Sequence, residues 1–368
     1  MASVGGADDQ MIILWDVRSR NLVRQWRWPI DSPYLSFSPD GSQLFSAGNG
    51  DGSINVWDPT SGNLVTTLQP PAAAISSTST PLTISDENEE TSDADPAPSM
   101  DESVDIARSC CAIAWSTSTL ASADRSGNVC LWDVHNYLPQ HTLTTHSSPA
   151  ASDLHLSKIL FSPDGRWLVG LFGYSPGFGF VWEVATGSLH MTFGDTGTSA
   201  ERLVAKAIAF DARDNTVVAV GRSGTVLRWS VETKELVSRI TLDESSGIRI
   251  AVLSSDGGLV CWTSRARREI LAISSVGGEV SRHMHRGEIS RISLSAPSEE
   301  YVVVSSNECA TRIWRVKDRQ LVLSDGRPGN VFSVVDGALS ENEQVYVTGT
   351  SHGTIRITTM CEQLVNEC

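Results

Sequence analysis

Residues 34–68 of this 368-residue chain read YLSFSPDGSQLFSAGNGDGSINVWDPTSGNLVTTL. Four short runs of β-forming residues alternate with three turns rich in Gly, Pro, Asn, Asp and Ser, a pattern typical of short antiparallel strands. The third run ends in Trp57, and similar apolar runs end in tryptophan along the rest of the chain. The seven closing tryptophans are Trp15, Trp57, Trp132, Trp182, Trp229, Trp262 and Trp314, and an eighth segment, residues 354–358, carries Thr358 in the same place.

The spacing of these closing positions indicates one repeated unit. Five of the seven steps are 42 to 52 residues long, close to the roughly 40–45 residues of a four-stranded propeller blade. The 75-residue step from Trp57 to Trp132 fits one unit plus an insert, and the 33-residue step from Trp229 to Trp262 predicts a unit that has lost a strand. At strand ends repeated in this way, we expect the tryptophans to pack between blades rather than form a binding platform.

The repeat predicts an all-β protein in which residues 1–368 form one β-propeller domain. We expect eight repeat units of four-stranded antiparallel blades, with blades one and six each short of a strand. A seven-bladed ring with one displaced end is the alternative, and so is a chain that lacks its natural N-terminus. No segment shows a sustained 3.6-residue apolar period, so helices should be scarce.

Two sets of residues resemble the WD40 repeat. Residues 37–41 and 161–165 both read Phe-Ser-Pro-Asp-Gly, and tryptophan is followed by aspartate at 15–16, 57–58 and 132–133. The resemblance covers nearly the whole chain outside residues 70–105. It implies a closed propeller, which leaves no long free sheet edge, and a protein that holds partner proteins without catalysing a reaction.

The resemblance also implies a buried hydrogen-bonded tetrad in each blade, and the chain matches it only in part. The tetrad places Asp six residues before the tryptophan, where Asp9, Asp51 and Asp256 fit. It also needs a His before the first strand, for which His146 and His285 are candidates. No unit combines the two, so we expect apolar packing between blades to hold the ring.

The net charge of −15 is concentrated in one segment. Residues 70–105 contain nine acidic residues, no Lys or Arg, and few large apolar residues, so we expect this insert between blades two and three to be disordered. Ser92 and Ser99 each have an acidic residue three positions on and are candidate sites for an acid-directed kinase. Phosphorylation would add about −1.5 to −2 charges at each.

Cysteine usage and hydropathy predict a cellular compartment. The seven cysteines are odd in number and form no C-x-x-C pair, which argues against a disulfide framework and against a zinc ribbon. The chain has no apolar run of 18 residues and no secretory leader at Met1. We therefore expect a protein of the cytoplasm or nucleus that does not insert into a membrane.

Basic residues cluster in three turns that follow closing tryptophans. If these turns are equivalent, they lie on the bottom face of the propeller and converge into one basic patch, although turns also favour solvated polar residues. Such a patch would bind another protein through an acidic or phosphorylated segment, and we expect neither a nucleic-acid partner nor a small-molecule substrate. The residues are Arg18 and Arg20 after Trp15, Arg265, Arg267 and Arg268 after Trp262, and Arg315, Lys317 and Arg319 after Trp314.

Two further features concern partners. Trp26 and Trp28 lie outside the repeat frame beside arginines, and this combination is enriched in interface hot spots, although packing between blades is the alternative. Residues 15–18, Trp-Asp-Val-Arg, resemble the WDxR box by which some WD40 proteins dock onto cullin-4 ubiquitin ligase adaptors. Those proteins usually carry two such boxes, and this chain has one. The alternative function is therefore a ligase substrate receptor that uses Arg18.

Signals for catalysis or metal binding are weak. Residues 173–177 match the G-x-S-x-G hydrolase pattern but fall in a turn between strands with no helix after them. His283 and His285 lack a third ligand and are flanked by Arg282 and Arg286, which favours a solvated loop. We expect no catalytic residue, no metal and no cofactor, and a propeller enzyme remains a remote alternative.

Overall fold

The computed structural model describes 30 strands, the turns that join many of them, and no helix among the residues described. These residues are 2–4, 11–17, 19, 21–27, 34–47, 52–71, 110–124, 127–143, 156–172, 178–194, 205–242, 247–266, 268–285, 287–295, 298–306, 311–325, 334–339, 345–350 and 355–359. Among them no helix is long and apolar enough to cross a membrane.

The strands form eight sheets that follow one another along the chain, and each is an antiparallel meander, which we call a blade. The first four blades contain β1 (Ala2–Val4), β2 (Met11–Asp16) and β3 (Asn21–Arg27); β4 (Tyr34–Phe37), β5 (Leu44–Ala47), β6 (Ile54–Trp57) and β7 (Leu64–Leu68); β8 (Cys110–Trp115), β9 (Thr119–Asp124), β10 (Val129–Asp133) and β11 (Pro139–Leu143); β12 (Leu156–Phe161), β13 (Trp167–Phe172), β14 (Phe178–Glu183) and β15 (Ser188–Gly194).

Blades five to eight continue the same order. They contain β16 (Ala205–Asp211), β17 (Thr216–Gly221), β18 (Thr225–Ser230) and β19 (Leu236–Thr241); β20 (Ile248–Leu253), β21 (Leu259–Ser264), β22 (Ile270–Ser275) and β23 (Ser281–Met284); β24 (Ile289–Leu294), β25 (Tyr301–Ser306), β26 (Thr311–Arg315) and β27 (Leu321–Asp325); β28 (Val334–Leu339), β29 (Val345–Thr350) and β30 (Ile355–Thr359).

This architecture confirms the all-β propeller with eight repeat units and the three-stranded blade one. Blade eight also has three strands in the part of the chain that the structure describes. The prediction that blade six lacks a strand is wrong, because its sheet has four. Trp262 lies on the second strand of blade six, whereas the closing tryptophans of the other four-stranded blades, Trp57, Trp132, Trp182, Trp229 and Trp314, lie on third strands. The 33 residues from Trp229 to Trp262 and the 52 residues from Trp262 to Trp314 together equal the length of two ordinary repeat units.

First strands lie innermost and fourth strands outermost. β16 contacts β20, β20 contacts β24, and β24 contacts β28, as expected where first strands surround a central channel. The outer strands β3 and β19 are mostly exposed. In an antiparallel meander, second-to-third turns and blade-to-blade connections share one end, here the upper face. First-to-second and third-to-fourth turns share the other end, the lower face.

Apolar packing between neighbouring blades forms the core. One cluster joins Val181 and Phe193 of blade four to Phe210 and Trp229 of blade five, and others join blades three to four, five to six and six to seven. This confirms the expected mode of packing. A register shift directly precedes every closing tryptophan except Trp262, so a β-bulge recurs there with the repeat.

Part of the buried tetrad is present in two blades. The Trp57 indole N–H donates to Ser46 Oγ at 2.8 Å, and the Trp132 N–H donates to Ser122 Oγ at 2.9 Å. Gly170 occupies the equivalent second-strand position of blade four, and an added Cβ there would lie 2.8 Å from the Trp182 ring. The Trp182 N–H accordingly has no acceptor among the described residues.

Blade six exchanges these two positions between its strands. Trp262 occupies the second-strand place that Ser46 and Ser122 hold in other blades, and it is 0% exposed. Ser274, on the third strand, occupies the place of the closing tryptophan, paired with Val260 as Trp57 is paired with Leu44. This exchange is the physical reason that tryptophan spacing misplaced the strands of blade six.

The tetrad assignment of Asp256 is also wrong. Asp256 lies in the first-to-second turn of blade six, where its Oδ1 accepts a hydrogen bond from Ser254 Oγ at 2.5 Å. Ser38 Oγ donates to Asp40 Oδ1 at 2.6 Å in the same turn of blade two. His285 is buried after β23, whereas Asp9, Asp51 and His146 lie outside the described residues.

Candidate functional site

The structure separates the basic turns that the sequence placed together. Arg315 ends the third strand of blade seven, and Lys317 and Arg319 lie in the turn that follows it on the lower face. Arg265 and Arg268 follow a second strand and lie on the upper face, between β21 and β22. The predicted convergence of these turns is wrong because Trp262 is not on a third strand. Residues outside the described ranges are Arg18, Arg20, Arg267 and Trp28.

Two of the lower-face cations take part in local structure. Arg315 Nη1 lies 2.9 Å from Asp318 Oδ2, and this hydrogen bond raises the pKa of the guanidinium further above its usual value. Arg319 Nη2 donates to the Glu279 carbonyl of the neighbouring blade at 3.3 Å. Lys317 is exposed. The lower group therefore stabilises turns and a contact between blades.

A different set of cations lies at the upper mouth of the central channel. Lys158, Lys206, Arg249 and Arg291 are each the second or third residue of the innermost strand of blades four to seven. First strands run from the upper to the lower face, so these positions are near the upper end. Each is in or beside a register shift with the second strand, and such bulges redirect side chains.

The two lysines of this set lie near other positive charges. Burial lowers the pKa of the Lys158 ammonium, and the charge of Arg291 lowers it further although Arg291 is three blades away. Lys158 is nevertheless accessible to water, as expected of a group that lines a channel and has protein on most sides. Burial also lowers the pKa of Lys206, with a further contribution from the charge of Arg222. The channel mouth therefore brings like charges together.

One carboxylate organises the cations of blade six. Glu288 Oε1 lies 2.7 Å from Arg249 Nη2 and 3.1 Å from Arg268 Nη1, while Arg249 Nη1 donates to the Ile289 carbonyl at 2.7 Å. The Ile289 N–H also donates to the Arg268 carbonyl at 3.0 Å. These bonds fix the turn that carries Arg268 against the strand that carries Arg291.

The upper turns of blades five and six are joined through the connection between them. The Ile248 N–H donates to the Arg222 carbonyl at 2.7 Å, and the Arg265 N–H donates to the Gly247 carbonyl at 2.9 Å. Gly247 has a φ of +80°, and a Cβ there would lie 3.0 Å from the Arg222 carbonyl oxygen, so this close approach requires glycine. We call the resulting surface the basic crescent: Lys158, Lys206, Arg222, Arg249, Arg265, Arg268 and Arg291.

The sequence analysis included Arg265 and Arg268 of this surface but missed the channel-lining members. A signal for them exists, since four consecutive first strands each carry one Lys or Arg within three residues of their start. Strand alignment of blade six was needed to recognise it, and the exchange of Trp262 with Ser274 obscured that alignment.

Trp26 packs between blades, as the alternative to an interface role predicted. Its ring centroid lies 5.8 Å from that of Trp57 in the next blade, and the residue is half-buried. Arg24, on the same strand, lies over Gly62 of that blade, where an added Cβ would approach its Cδ to 2.5 Å. These contacts join blade one to blade two.

The histidine pair does not form the solvated loop that was expected. His283 lies on β23 and its ring centroid is 4.3 Å from that of Trp314 in blade seven, while His285 is 3% exposed. No group of three His, Cys, Asp or Glu side chains suited to a metal ion occurs among the described residues.

Several predicted features lie outside the described ranges. Residues 173–177 connect two strands, β13 and β14, and are not themselves described. The same holds for residues 72–109, which include Ser92 and Ser99 and connect β7 to β8. β7 ends, and β8 begins, on the upper face. The cullin-4 hypothesis, which depends on Arg18, stays a prediction.

Comparison with known proteins identifies the repeat. Residues 34–58 match the family model of the WD domain, G-beta repeat. The computationally designed Ika8 protein has a similar structure, with a TM-score of 0.67 and 19% identity over 97% of this chain and 93% of Ika8. At that identity the likeness concerns the fold alone. No curated protein matches the sequence. WD40 propellers generally bind other proteins and are typically not enzymes. The chain thus carries a WD40 repeat at residues 34–58 within a β-propeller of WD40-like repeats.

Proposed function

We propose that this protein is a non-enzymatic scaffold in a multiprotein complex of the cytoplasm or nucleus. It binds an acidic or phosphorylated segment of another protein through the basic crescent. The observation that supports this proposal is the placement of seven cations on one face of four consecutive blades of a chain whose net charge is −15. Repeat architectures gather equivalent loops on one face, which is often the binding face.

The basic crescent can attract an acidic segment because electrostatic attraction depends on the charges nearby. A group of like charges around a channel mouth focuses its field toward the space above it, and that field attracts an opposite charge although the protein as a whole is acidic. Arg222, Arg265 and Arg268 are exposed in the upper turns and can meet an approaching segment. The strands below hold the channel-lining cations at fixed positions, so little conformational entropy is lost on binding.

A charge-reversal experiment with a matched control tests the proposal. The tagged protein is recovered from cells with its associated proteins as wild type, as Arg222→Glu with Arg265→Glu, and as Lys317→Glu with Arg319→Glu. Both variants reverse two charges, on the upper and lower faces respectively. We expect associated proteins to be lost from the upper variant and retained by the lower one. Thermal stability should equal that of wild type in the upper variant and fall slightly in the lower one, which loses the Arg319 contact to blade six.

Retention of every associated protein by the upper variant would contradict the proposal. So would equal loss from both variants, because that result would indicate a response to net charge rather than to the basic crescent. A fourth form, Arg18→Ala, tests the alternative function: a cullin-4 adaptor lost from this form alone would support the ligase-receptor hypothesis instead.

A further inference from the structure

We propose that Arg268 is the anchor of the basic crescent. It binds one carboxylate of the partner segment through the Nε–Nη2 edge of its guanidinium, and Glu288 is the residue that positions it. This inference rests on the proposed function, because it names the chemical group that the segment brings and the side chain that receives it. That group is the carboxylate of an aspartate or glutamate, not a phosphate.

The first argument is the edge of the guanidinium that stays available. Arg268 Nη1 lies 3.1 Å from Glu288 Oε1, whereas Nε and Nη2 have no partner among the described residues. These two nitrogens lie side by side and present parallel N–H donors, which match the two oxygens of a carboxylate. The Arg268 side chain is 53% exposed, so a side chain of a partner can reach this edge.

The second argument is that the Arg268 side chain and its turn are held in place. Arg249 Nη2 lies 2.7 Å from the same Glu288 Oε1, and Arg249 Nη1 donates to the Ile289 carbonyl at 2.7 Å. The carboxylate that orients Arg268 is therefore itself held. The Arg268 carbonyl accepts from the Ile289 N–H at 3.0 Å and from Thr263 Oγ1 at 3.2 Å. An arginine ordered before binding loses less conformational entropy when a ligand arrives.

The third argument concerns the charge that fits. Arg249 and Arg268 carry two positive charges and Glu288 carries one negative charge, which leaves one positive charge for a ligand to balance. A carboxylate carries one negative charge, whereas a phosphorylated side chain carries about −1.5 to −2 near neutral pH. Glu288 lies beside the same guanidinium, and its repulsion of a ligand grows with the negative charge of that ligand. A carboxylate is therefore the better match at Arg268.

The test measures binding of three fluorescent peptides to the whole 368-residue chain by anisotropy. One peptide alternates glutamate with glycine, and the other two carry glutamine or phosphoserine in place of glutamate. Arg268→Lys keeps the positive charge but cannot present the paired donors. We expect it to weaken binding of the glutamate peptide about tenfold, the scale of one hydrogen bond to a charged group.

The matched control makes the same exchange on the lower face. Arg166 lies in the first-to-second turn of blade four, is 62% exposed at its side chain and lies 3.9 Å from the Glu183 carboxylate. Arg166→Lys should therefore leave the affinity for the glutamate peptide unchanged. Thermal unfolding of each variant checks that the fold is intact.

A further variant tests the positioning role of Glu288. Glu288→Ala removes a negative charge from the crescent, so an attraction that depends only on net charge would become stronger. Because Arg268 also loses the contact that orients it, we expect weaker binding of the glutamate peptide at about 300 mM NaCl, where long-range attraction is screened. Tighter binding than wild type at that salt concentration would overturn the role of Glu288. The Arg268→Lys comparison stays valid if Glu288→Ala is unstable.

The outcomes separate this inference from the proposed function. Unchanged binding of the glutamate peptide by Arg268→Lys, with loss on Arg222→Glu with Arg265→Glu, would overturn the anchor and leave the scaffold proposal standing. Equal affinity of wild type for the glutamate and glutamine peptides would overturn both. A larger effect of Arg268→Lys on the phosphoserine peptide than on the glutamate peptide would overturn the assignment to a carboxylate and indicate a phosphate as ligand.

Discussion

At the scale of single residues, one hydroxyl decides whether a closing tryptophan is fully hydrogen-bonded. Trp57 and Trp132 donate to serines on the adjacent strand, whereas Trp314 faces the apolar Val304 at the equivalent place. The Trp314 N–H has no acceptor among the described residues. An unsatisfied buried donor costs about 1–3 kcal/mol, so blades of nearly identical backbone differ in stability.

Removing one hydroxyl should expose this cost. We expect Ser122→Ala to lower the free energy of unfolding by about 1–3 kcal/mol, because it leaves the buried Trp132 N–H without an acceptor. Urea unfolding measures the change. In a Trp132→Phe background the same substitution should cost much less, and an undiminished cost there would contradict the explanation.

Adding a hydroxyl should have the opposite effect. Val304→Thr places an acceptor beside the Trp314 N–H, whereas Val303→Thr places one on the other face of the same strand. Both sites are buried, so each hydroxyl is costly to desolvate. We expect Val304→Thr to be more stable than Val303→Thr by about 1 kcal/mol in chemical unfolding, and equal stability would argue against the indole contact.

At the scale of elements, turn chemistry proved a better guide to strand order than tryptophan spacing. Gly41 and Gly165 end their first-to-second turns 16 and 17 residues before a closing tryptophan, whereas Gly257 ends the same turn only five residues before Trp262. That short distance places Trp262 on the second strand. Hydrophobic spacing identified the existence of blade six but could not assign its strands, because second and third strands are equally apolar.

Ion pairs between side chains link the lower-face turns of blades five and six, and these ion pairs should be lost in acid. Asp211 is 3% exposed at its side chain and lies 2.8 Å from Arg228 and 3.1 Å from Arg213. Burial would raise the pKa of Asp211, but the hydrogen bonds from both arginines outweigh it and lower the pKa to about 2. Arg213 also lies 2.9 Å from Asp256 of the next blade.

Because the folded-state pKa of Asp211 lies below its ordinary value, ionised Asp211 stabilises the fold fully above about pH 4. That contribution, of order 2 kcal/mol, should disappear as the pH falls from about 4 toward 2. Urea unfolding at several acidic pH values should show a smaller pH dependence for Asp211→Asn than for wild type. Glu232→Gln, at an exposed turn between β18 and β19, serves as the control.

At the scale of the whole molecule, the two faces carry different chemistry. The upper face holds the basic crescent, whereas the lower-face cations Arg315 and Arg319 engage turns. The sequence contained all these charges, and Arg265 and Arg268 were recognised from it. Which face they occupy depends on strand register, which residues far apart in sequence determine together.

Binding through the basic crescent should depend on salt. Raising NaCl from about 50 to 300 mM shortens the screening length and should weaken binding of an acidic peptide several-fold. The dependence should be reduced in Arg222→Glu with Arg265→Glu and unchanged in Lys317→Glu with Arg319→Glu. A salt response that is identical in all three forms would show that the crescent does not set it.

The exchange of Trp262 and Ser274 has a consequence for modular engineering of this chain. A unit excised by counting from one tryptophan to the next would, between Trp229 and Trp262, contain only the three strands β19 to β21, one fewer than the unit between Trp182 and Trp229. Boundaries drawn at the Ser-x-Asp-Gly turns fall in the same place in blades two, four and six. Duplication, deletion or permutation of blades should therefore use these turns as boundaries, because the turns occupy the same position in each of these blades whereas the tryptophans do not.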